Sequence, residues 1–304
     1  MDLFPSMRTF VAVVEAGSFV GAMDSTGLSK PAISRHINEL EQHLGARLLQ
    51  RTTRRLSLTA EGETYLARCR EILSAVEESE SELADRSGLI RGRLRIGAPQ
   101  TFGALHLAAL WGRFVAENPE ITLDIVLADR IVDLVEEGYD LAVRIGRLPD
   151  SGLVSRKLAD TRIVLCASPG YLAAHGTPTH PQELARHAVI AYSYWSGGDV
   201  WRFTGPEGEA SARVRARLHA NNGDTCRAAA LADQGIILQP DFLIHEDLRS
   251  GALVELMPQW HAATIPIHAV YPTRKQVPLR VRRLLDFLVE ALREPVWQTR
   301  PPQA

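Results

Sequence analysis

The stretch "LSKPAISRHINELEQHLG", residues 28–45, carries one proline near its start and otherwise keeps a helical spacing. At about 100° per residue, Ile33, Ile37, Leu40 and Leu44 gather within about 40° of one another as an apolar stripe. The opposite side collects Pro31, Ser34, Arg35, Asn38 and Gln42, with Glu39 and Glu41 at its margins. A residue before proline avoids the α region, so Lys30 is expected at the helix cap, with Ser29 as the alternative. A solvated face would account for these polar residues taken alone. Their neighbours argue for a partner outside the protein.

Upstream, Leu3, Met7, Phe10, Val11 and Val14 predict a helix from Leu3 to Ala16. Gly17 breaks it, Ser18 is placed to cap a second helix from Phe19 to about Ser25, and Gly27 ends that one. Two short helices joined by a glycine-containing turn are the signature of a helix-turn-helix. Downstream, "RLLQRTTRRLSLT" sets Leu48 and Leu49 before a Thr/Arg turn and alternates Leu56 and Leu58 after it, which predicts a two-stranded wing. Net charge is only −2 over 304 residues, but residues 29–58 hold six Lys/Arg against two Asp/Glu, and residues 59–89 hold three against eight. Basic charge is concentrated where the wing and the polar helix face meet. Arg35 has the fork that matches guanine and Asn38 the amide that matches adenine, while Arg51, Arg54 and Arg55 suit phosphates or a narrow minor groove.

Thr59 is a candidate N-cap for a long helix from Ala60 to about Ser87, with Glu61 and Glu63 near its positive end. Along it Tyr65, Cys69, Ile72, Val76, Ser79 and Leu83 recur in steps of four and three, and Leu66 and Leu73 widen the stripe. That is a heptad seam. A second copy of the helix is its economical partner, packing on the same chain being the alternative.

"GLIRGRLRIGAP" then marks a hinge at residues 88–92. Beyond it strands ("RLRIGA", "ITLDIVLA", "LAVRIG", "TRIVLCA", "AVIAY", "RVRARLHA", "GIILQ", "IPIHAVY") alternate with helical stretches at 103–117, 130–137, 169–174, 181–185, 224–233, 241–249 and 279–293. Such alternation predicts an α/β domain with largely parallel sheets. Cys69, Cys166 and Cys226 are odd in number and far apart, which suits buried free thiols. No membrane-spanning run, signal peptide, HExxH, GxSxG, P-loop or dinucleotide fingerprint occurs. The ten histidines show no metal-ligand spacing. The expectation is a cytoplasmic protein that is not an enzyme and holds neither cofactor nor metal.

"FVAVVEAGSFVGAM", "LSKPAISRHINELEQHLGARLLQRTTRRLSLTAEGETYL", "GRLRIGAP", "DLVEEGYDLAVRIGRLPDSGLVSRKL" and "VPLRVRRLLDFLVEAL" each resemble stretches of LysR-type transcriptional regulators, and the likeness spans nearly the whole chain. The resemblance implies an α+β, α/β multidomain protein with a winged helix-turn-helix (1–59), a dimerising linker helix (60–89), a two-lobed α/β effector domain like a periplasmic binding protein (92–295), and a flexible tail (296–304). Lobe I would take about 92–164 with 267–293, and lobe II about 165–266. The partners implied are double-stranded promoter DNA, a second copy as homodimer or homotetramer, and a small-molecule effector, an organic acid or aromatic compound. Carried over by position, the DNA-contacting residues are Lys30, Pro31, Ser34 and Arg35, with the wing arginines behind them. Thr26 departs from the family's leucine before the turn, which predicts looser packing of the second helix on the third.

Effector candidates sit where strands end. Thr101, followed by Phe102, opens a helix as a cap, a ligand contact or both. Arg144 and Gly146 close another strand, with Arg144 facing the cleft or an ion-pair partner. Asn222 and Asp224 stand at a third strand-to-helix turn, where such residues ordinarily cap. Trp195 and Trp201 line a pocket or cover a loop. The dimer seam candidates are Tyr65, Cys69, Ile72, Val76 and Leu83.

Overall fold

Met7, Phe10 and Val13 lie on one face of the first helix, and the rest of the N-terminal unit is assembled against them. The computed structural model describes residues 2–51, 56–85, 90–130, 132–148, 152–195, 197–272 and 277–298, with backbone alone at 51, 74 and 77–85. The chain divides into one unit of 1–91 with 133–139, and a second of 92–132 with 140–304.

The first unit contains α1 (Leu3–Glu15), α2 (Ala22–Thr26), α3 (Lys30–Leu44), β1 (Leu49–Arg51), β2 (Leu56–Leu58) and α4 (Ala60–Asp85). The wing forms as predicted, with Leu49 opposite Leu58 and Arg51 opposite Leu56. Ile33, Ile37 and Leu40 of α3 are fully buried, each contributing about 1.5–3 kcal/mol by leaving water. Leu44, expected in that stripe, is 37% exposed. Gly45, in the left-handed region at φ 64°, ends the helix there before the stripe reaches further core.

Two expectations for the helix starts need correction. The second helix begins at Ala22, not Phe19. Ser18 Oγ accepts from Gly21 N at 2.9 Å, so its hydroxyl organises the turn before the helix. Helix α3 already includes Lys30: Ile33 N donates to Ser29 O at 3.0 Å, which makes Ser29 the cap residue. Pro31 is tolerated because the first-turn N–H groups have no partner within the helix in any case. Thr26 turns its hydroxyl inward, donating to Ala22 O at 2.6 Å and accepting from Leu28 N at 3.3 Å.

The seam on α4 also reads differently. Leu66, Cys69 and Leu73 are buried in the chain's own N-terminal core, with Tyr65 packed beside them. Cys69 is 0% exposed, so it is not open to a second copy, while Ile72 is 40% exposed and Val76 half-buried. The side chains of Ser79 and Leu83 lie outside the described residues. Thr59 does cap α4, accepting from Gly62 N at 2.9 Å and donating to Arg47 O at 2.6 Å.

The second unit runs β3 (Gly92–Ala98), α5 (Gln100–Phe102), a π-turn (Gly103–Leu107), α6 (Ala108–Glu117), β4 (Ile121–Leu127), β5 (Leu141–Ile145), β6 (Leu153–Ala167), α7 (Pro169–His175), a 3-10 segment (Pro181–Arg186) and β7 (Val189–Tyr192). It continues with β8 (Val200–Gly205), β9 (Gly208–Arg213), β10 (Ala216–Ala220), α8 (Gly223–Leu231), β11 (Ile236–Pro240), α9 (Asp241–Ser250), β12 (Val254–Glu255), β13 (Ala263–Pro272), α10 (Leu279–Ala291) and a 3-10 turn (Val296–Gln298).

Among the described residues one sheet runs β10-β7-β11-β6-β13-β5-β3-β4, with β12 beside β6. The triplets β10-β7-β11 and β5-β3-β4 are parallel. The centre is not: β6 and β13 are antiparallel to each other along their shared length and to the flanking strands. Parallel pairing therefore holds only in the outer triplets, and the two long central strands join them.

Residues 130–137, expected as a helix, are turns where described, with Asp133 Oδ1 accepting from Val135 N and Glu136 N. The hairpin β8–β9 falls outside the strands that alternation predicts. Its Trp201 and Phe203 point into the core, and Trp195 packs on the same cluster. The tail is docked at its start: Trp297 is buried and its indole N–H donates to Asp160 O at 3.1 Å.

Candidate nucleic-acid interface and ligand crevice

Helix α3 is held by its buried stripe and by two polar ties. Thr9 Oγ1 donates to Pro5 O at 2.7 Å, so the His36 Nδ1 that lies 2.9 Å from the same hydroxyl supplies the proton between them. At the other end Glu41 Oε1 accepts from Leu48 N at 2.8 Å and Leu49 N at 3.2 Å, which fixes the entry to the wing. The outward side then presents Lys30, Pro31, Arg35, Asn38 and Gln42 exposed and Ser34 half-buried. Candidate contacts Lys30, Pro31, Ser34, Arg35 and Asn38 are thus together on one face. Arg51 is paired through its backbone with Leu56 in the wing, whereas Arg54 and Arg55 lie outside the described residues.

In the second unit the parallel triplets put their strand ends where chain connections meet. Asn222 caps α8, accepting from Thr225 N at 3.0 Å. Thr101, 8% exposed at the start of α5, donates its hydroxyl to Asp224 in the first turn of α8. Two candidates from distant segments, one after β3 and one after β10, are thereby in direct contact. Phe102 is not a lining residue: it is fully buried, edge-on to Phe242 and Trp297 with centroids 5.1 and 5.6 Å away. Arg144 donates to Val132 O at 2.5 Å, and the Gly146 N–H is taken by Pro266 O at 2.9 Å.

Sequence reasoning missed three groups here. Gln239, at the end of β11, is 2% exposed and its Nε2 has no hydrogen-bond partner, an uncommon state for a buried amide. Its Oε1 lies 3.3 Å from where a Cβ on Gly223 would stand, so its head reaches the start of α8. Asp129 accepts from Gln100 N at 2.9 Å and occupies the N-terminal end of α5. Tyr192, at the end of β7, has its phenol pushed up by burial and then by the charge of Asp129. A polar residue closing an otherwise apolar strand, as in "IILQP", was the available signal for Gln239.

His106 and His245 meet over one carbonyl, with Phe242 O 2.9 Å from His106 Nε2 and 3.2 Å from His245 Nδ1. Burial lowers the pKa of His106 below its ordinary 6.5. Tyr65 and Cys69 in the first unit are pushed up to about 12 and about 11, chiefly by burial. A thiol so protonated is a poor nucleophile. Among the described residues no cluster of acidic, His or Cys side chains could hold a metal, and no helix is long and apolar enough to cross a membrane.

Comparison with known proteins agrees with this organisation. Residues 4–63 match the bacterial regulatory helix-turn-helix of the LysR family, and residues 87–293 match the LysR substrate binding domain. The chain is 38% identical over 290 residues to the HTH-type transcriptional regulator PtxR of Pseudomonas aeruginosa, covering 95% of this chain and 93% of that protein. The solved structure of CrgA, a LysR-type transcriptional regulator from Neisseria meningitidis, aligns with a TM-score of 0.62 at 37% identity, over 94% of this chain and 98% of that one. The full-length structure of AphB, a virulence activator of Vibrio cholerae, aligns with a TM-score of 0.64 at 30% identity, covering 94% and 98%. With a helix-turn-helix whose third helix exposes a polar face, and a second unit that matches a substrate-binding domain, the chain belongs to the LysR family of transcriptional regulators.

Proposed function

We propose that α3 enters the major groove of promoter DNA and reads bases through Ser34, Arg35 and Asn38, while Lys30 and Pro31 set its approach to the backbone. The wing arginines Arg51, Arg54 and Arg55 neutralise phosphates beside it. The observation that carries this reading is the division of α3 into a fully buried apolar stripe and an exposed polar face. Base readout needs a rigid helix that turns its polar side chains outward while its apolar stripe holds it to the core. Two copies, paired through the part of the α4 stripe left outside the core, Ile72 and Val76, would set two such helices at fixed spacing on neighbouring half-sites.

The division into a DNA-binding module (1–59), a linker helix (60–89) and a two-lobed effector domain (92–295) belongs to the same reading, with the lobes joined by β6 and β13. A small effector occupies the crevice at the strand ends, where Thr101, Asn222 and Asp224 stand, and its binding changes DNA affinity or promoter activation. The work is done in the cytoplasm, on DNA, and without catalysis. To test it, a random duplex pool is enriched on the protein, and binding to the enriched site and to a scrambled one is followed by fluorescence anisotropy. Arg35→Ala should lose discrimination between the two duplexes. Equal loss on both would refute base reading by Arg35.

A further inference from the structure

Two helix starts meet in the crevice, and each is already supplied with an anion. Asp129 takes the Gln100 N–H at the start of α5, and Asp224 stands in the first turn of α8 and receives the Thr101 hydroxyl. Free N–H groups at a helix start are what would attract an organic acid. Here the chain's own carboxylates hold that favourable position, and a second anion brought beside Asp129 and Asp224 would be repelled.

Two arginines of this unit are engaged elsewhere. Arg227, one turn on from Asp224, forms a two-pronged pair with Asp247, at 2.5 Å from Nε and 2.6 Å from Nη2. Arg144 is engaged with Val132 O. Aromatic surface is close by: the rings of Tyr192 and Tyr194 are perpendicular with centroids 5.8 Å apart, and Cys226 of α8 points its thiol at Ala191 O, 3.8 Å away, which places α8 beside the end of β7. Asp129 is near enough to raise the phenol of Tyr192. Carboxylates together with electron-rich rings recognise organic cations. The second observation is independent of charge: Gln239, 2% exposed, sets its amide head at the same helix start, with Oε1 beside Gly223, and its buried Nε2 has no hydrogen-bond partner.

We propose that the effector of this regulator is an organic ammonium compound, whose cationic head displaces the Thr101 hydroxyl from Asp224 and whose hydroxyl or carbonyl oxygen accepts from Gln239. This rests on the crevice being the effector site. Of the organic acid or aromatic compound expected from the sequence, it keeps the aromatic ring and reverses the charge of the acid. The Thr101–Asp224 contact is then the clasp of the unliganded crevice, opened by exchange of one donor for a better one.

Three probes on one skeleton separate the alternatives: 2-amino-1-phenylethanol, the neutral 1-phenylethane-1,2-diol, and mandelate. Each is titrated into the full-length protein by calorimetry, with tryptophan-detected thermal unfolding in parallel, since a ligand bound only by the folded state raises the midpoint. The amine is expected to stabilise the protein and mandelate to leave it unchanged. Asp224→Asn should weaken amine binding on the order of tenfold, since a close charge pair is worth at least one decade in affinity. Tyr194→Ala, at an exposed position that puts folding at little risk, should weaken it severalfold while operator binding is retained. Stabilisation by mandelate or by the diol equal to that by the amine overturns the ammonium assignment and leaves the crevice as effector site. An amine response unchanged in Asp224→Asn also overturns it. No response to any probe, with operator binding intact, overturns both the assignment and the crevice reading, while the reading of α3 stands.

Discussion

Gly62 is the point at which the wing and the linker helix touch backbone to backbone, and replacing it tests how the DNA-binding unit is held. A methyl group there would stand 2.0 Å from Leu48 O and 2.9 Å from the carbonyl carbon of Leu48. Ordinary C···O contact is about 3.3 Å, so the two segments must separate by more than about 1 Å. Leu48 O accepts from Thr59 N at 3.0 Å, and Leu48 N donates to Glu41 at 2.8 Å. Losing a neutral bond and weakening one to a carboxylate costs about 3–4 kcal/mol, against about 1 kcal/mol gained by alanine's helix preference. The expected net loss for Gly62→Ala is about 2–3 kcal/mol, or roughly 10–20 °C in the midpoint of a unit of this size. All five tryptophans, 111, 195, 201, 260 and 297, lie in the second unit. Circular dichroism should therefore show an early helical transition and anisotropy a lost DNA complex, while tryptophan emission keeps its midpoint. A helical midpoint within about 2 °C of the parent would refute the clash, and so would a tryptophan transition that falls by the same amount.

Other perturbations address the remaining elements. Arg35→Ala should cost about 1–3 kcal/mol on the enriched operator and relax preference at one base position, whereas Arg54→Ala and Arg55→Ala should weaken binding to any duplex and each lower the salt slope by about 1, as phosphate contacts do. Ile72→Glu should shift sedimentation toward monomer with the helical midpoint little changed, because Ile72 is already 40% exposed; Cys69→Asp, by contrast, should unfold the N-terminal unit, and a folded monomeric C69D protein would contradict its burial. Burial lowers the folded pKa of His106 below 6.5, so the unfolded chain binds the extra proton more readily, and this contribution is complete above about pH 6.5 and lost as pH falls from there toward the folded value. The tryptophan midpoint should accordingly drop between pH 7 and 5, and less steeply in His106→Leu; equal slopes would show that His106 is not involved.

What the sequence disclosed and what it withheld divide along the range of the interactions. Helix α3, its stripe and its polar face follow from spacing within one helix, and the wing from alternation within a few residues. The antiparallel centre of the large sheet was hidden because β6 and β13 pair across about a hundred residues, and local pattern carries no partner information. Sequence alone leaves Trp201 between pocket and loop because its role depends on pairing with Ala212 in a hairpin whose second strand, "GEASAR", has almost no apolar signal. At the starts of α5 and α8, Thr101, Asn222 and Asp224 were legible as strand-end polar residues. The Thr101–Asp224 contact was not, since it joins segments 123 residues apart in sequence, and neither was the unpartnered amide of Gln239, which depends on its tertiary surroundings.

The α4 stripe shows why periodicity alone does not assign a partner. Leu66, Cys69 and Leu73 recur at three and four and are spent on the core of their own unit, while Ile72 and Val76, one step around the helix, remain at its surface. A heptad pattern is the same whichever body covers it. The width of the stripe was the discriminating feature: a seam between two helices needs only two positions in seven, and the extra leucines at 66 and 73 exceed that. Under the proposed pairing one helix would serve two packings from adjacent faces, with the residues that complete the N-terminal core directly beside those proposed to meet the second copy. Loss of the core contacts at Cys69 would then release α4 and abolish pairing with it, whereas loss of Ile72 would abolish pairing and spare the core. That asymmetry between two neighbouring residues is what a shared rather than a dedicated dimer helix requires.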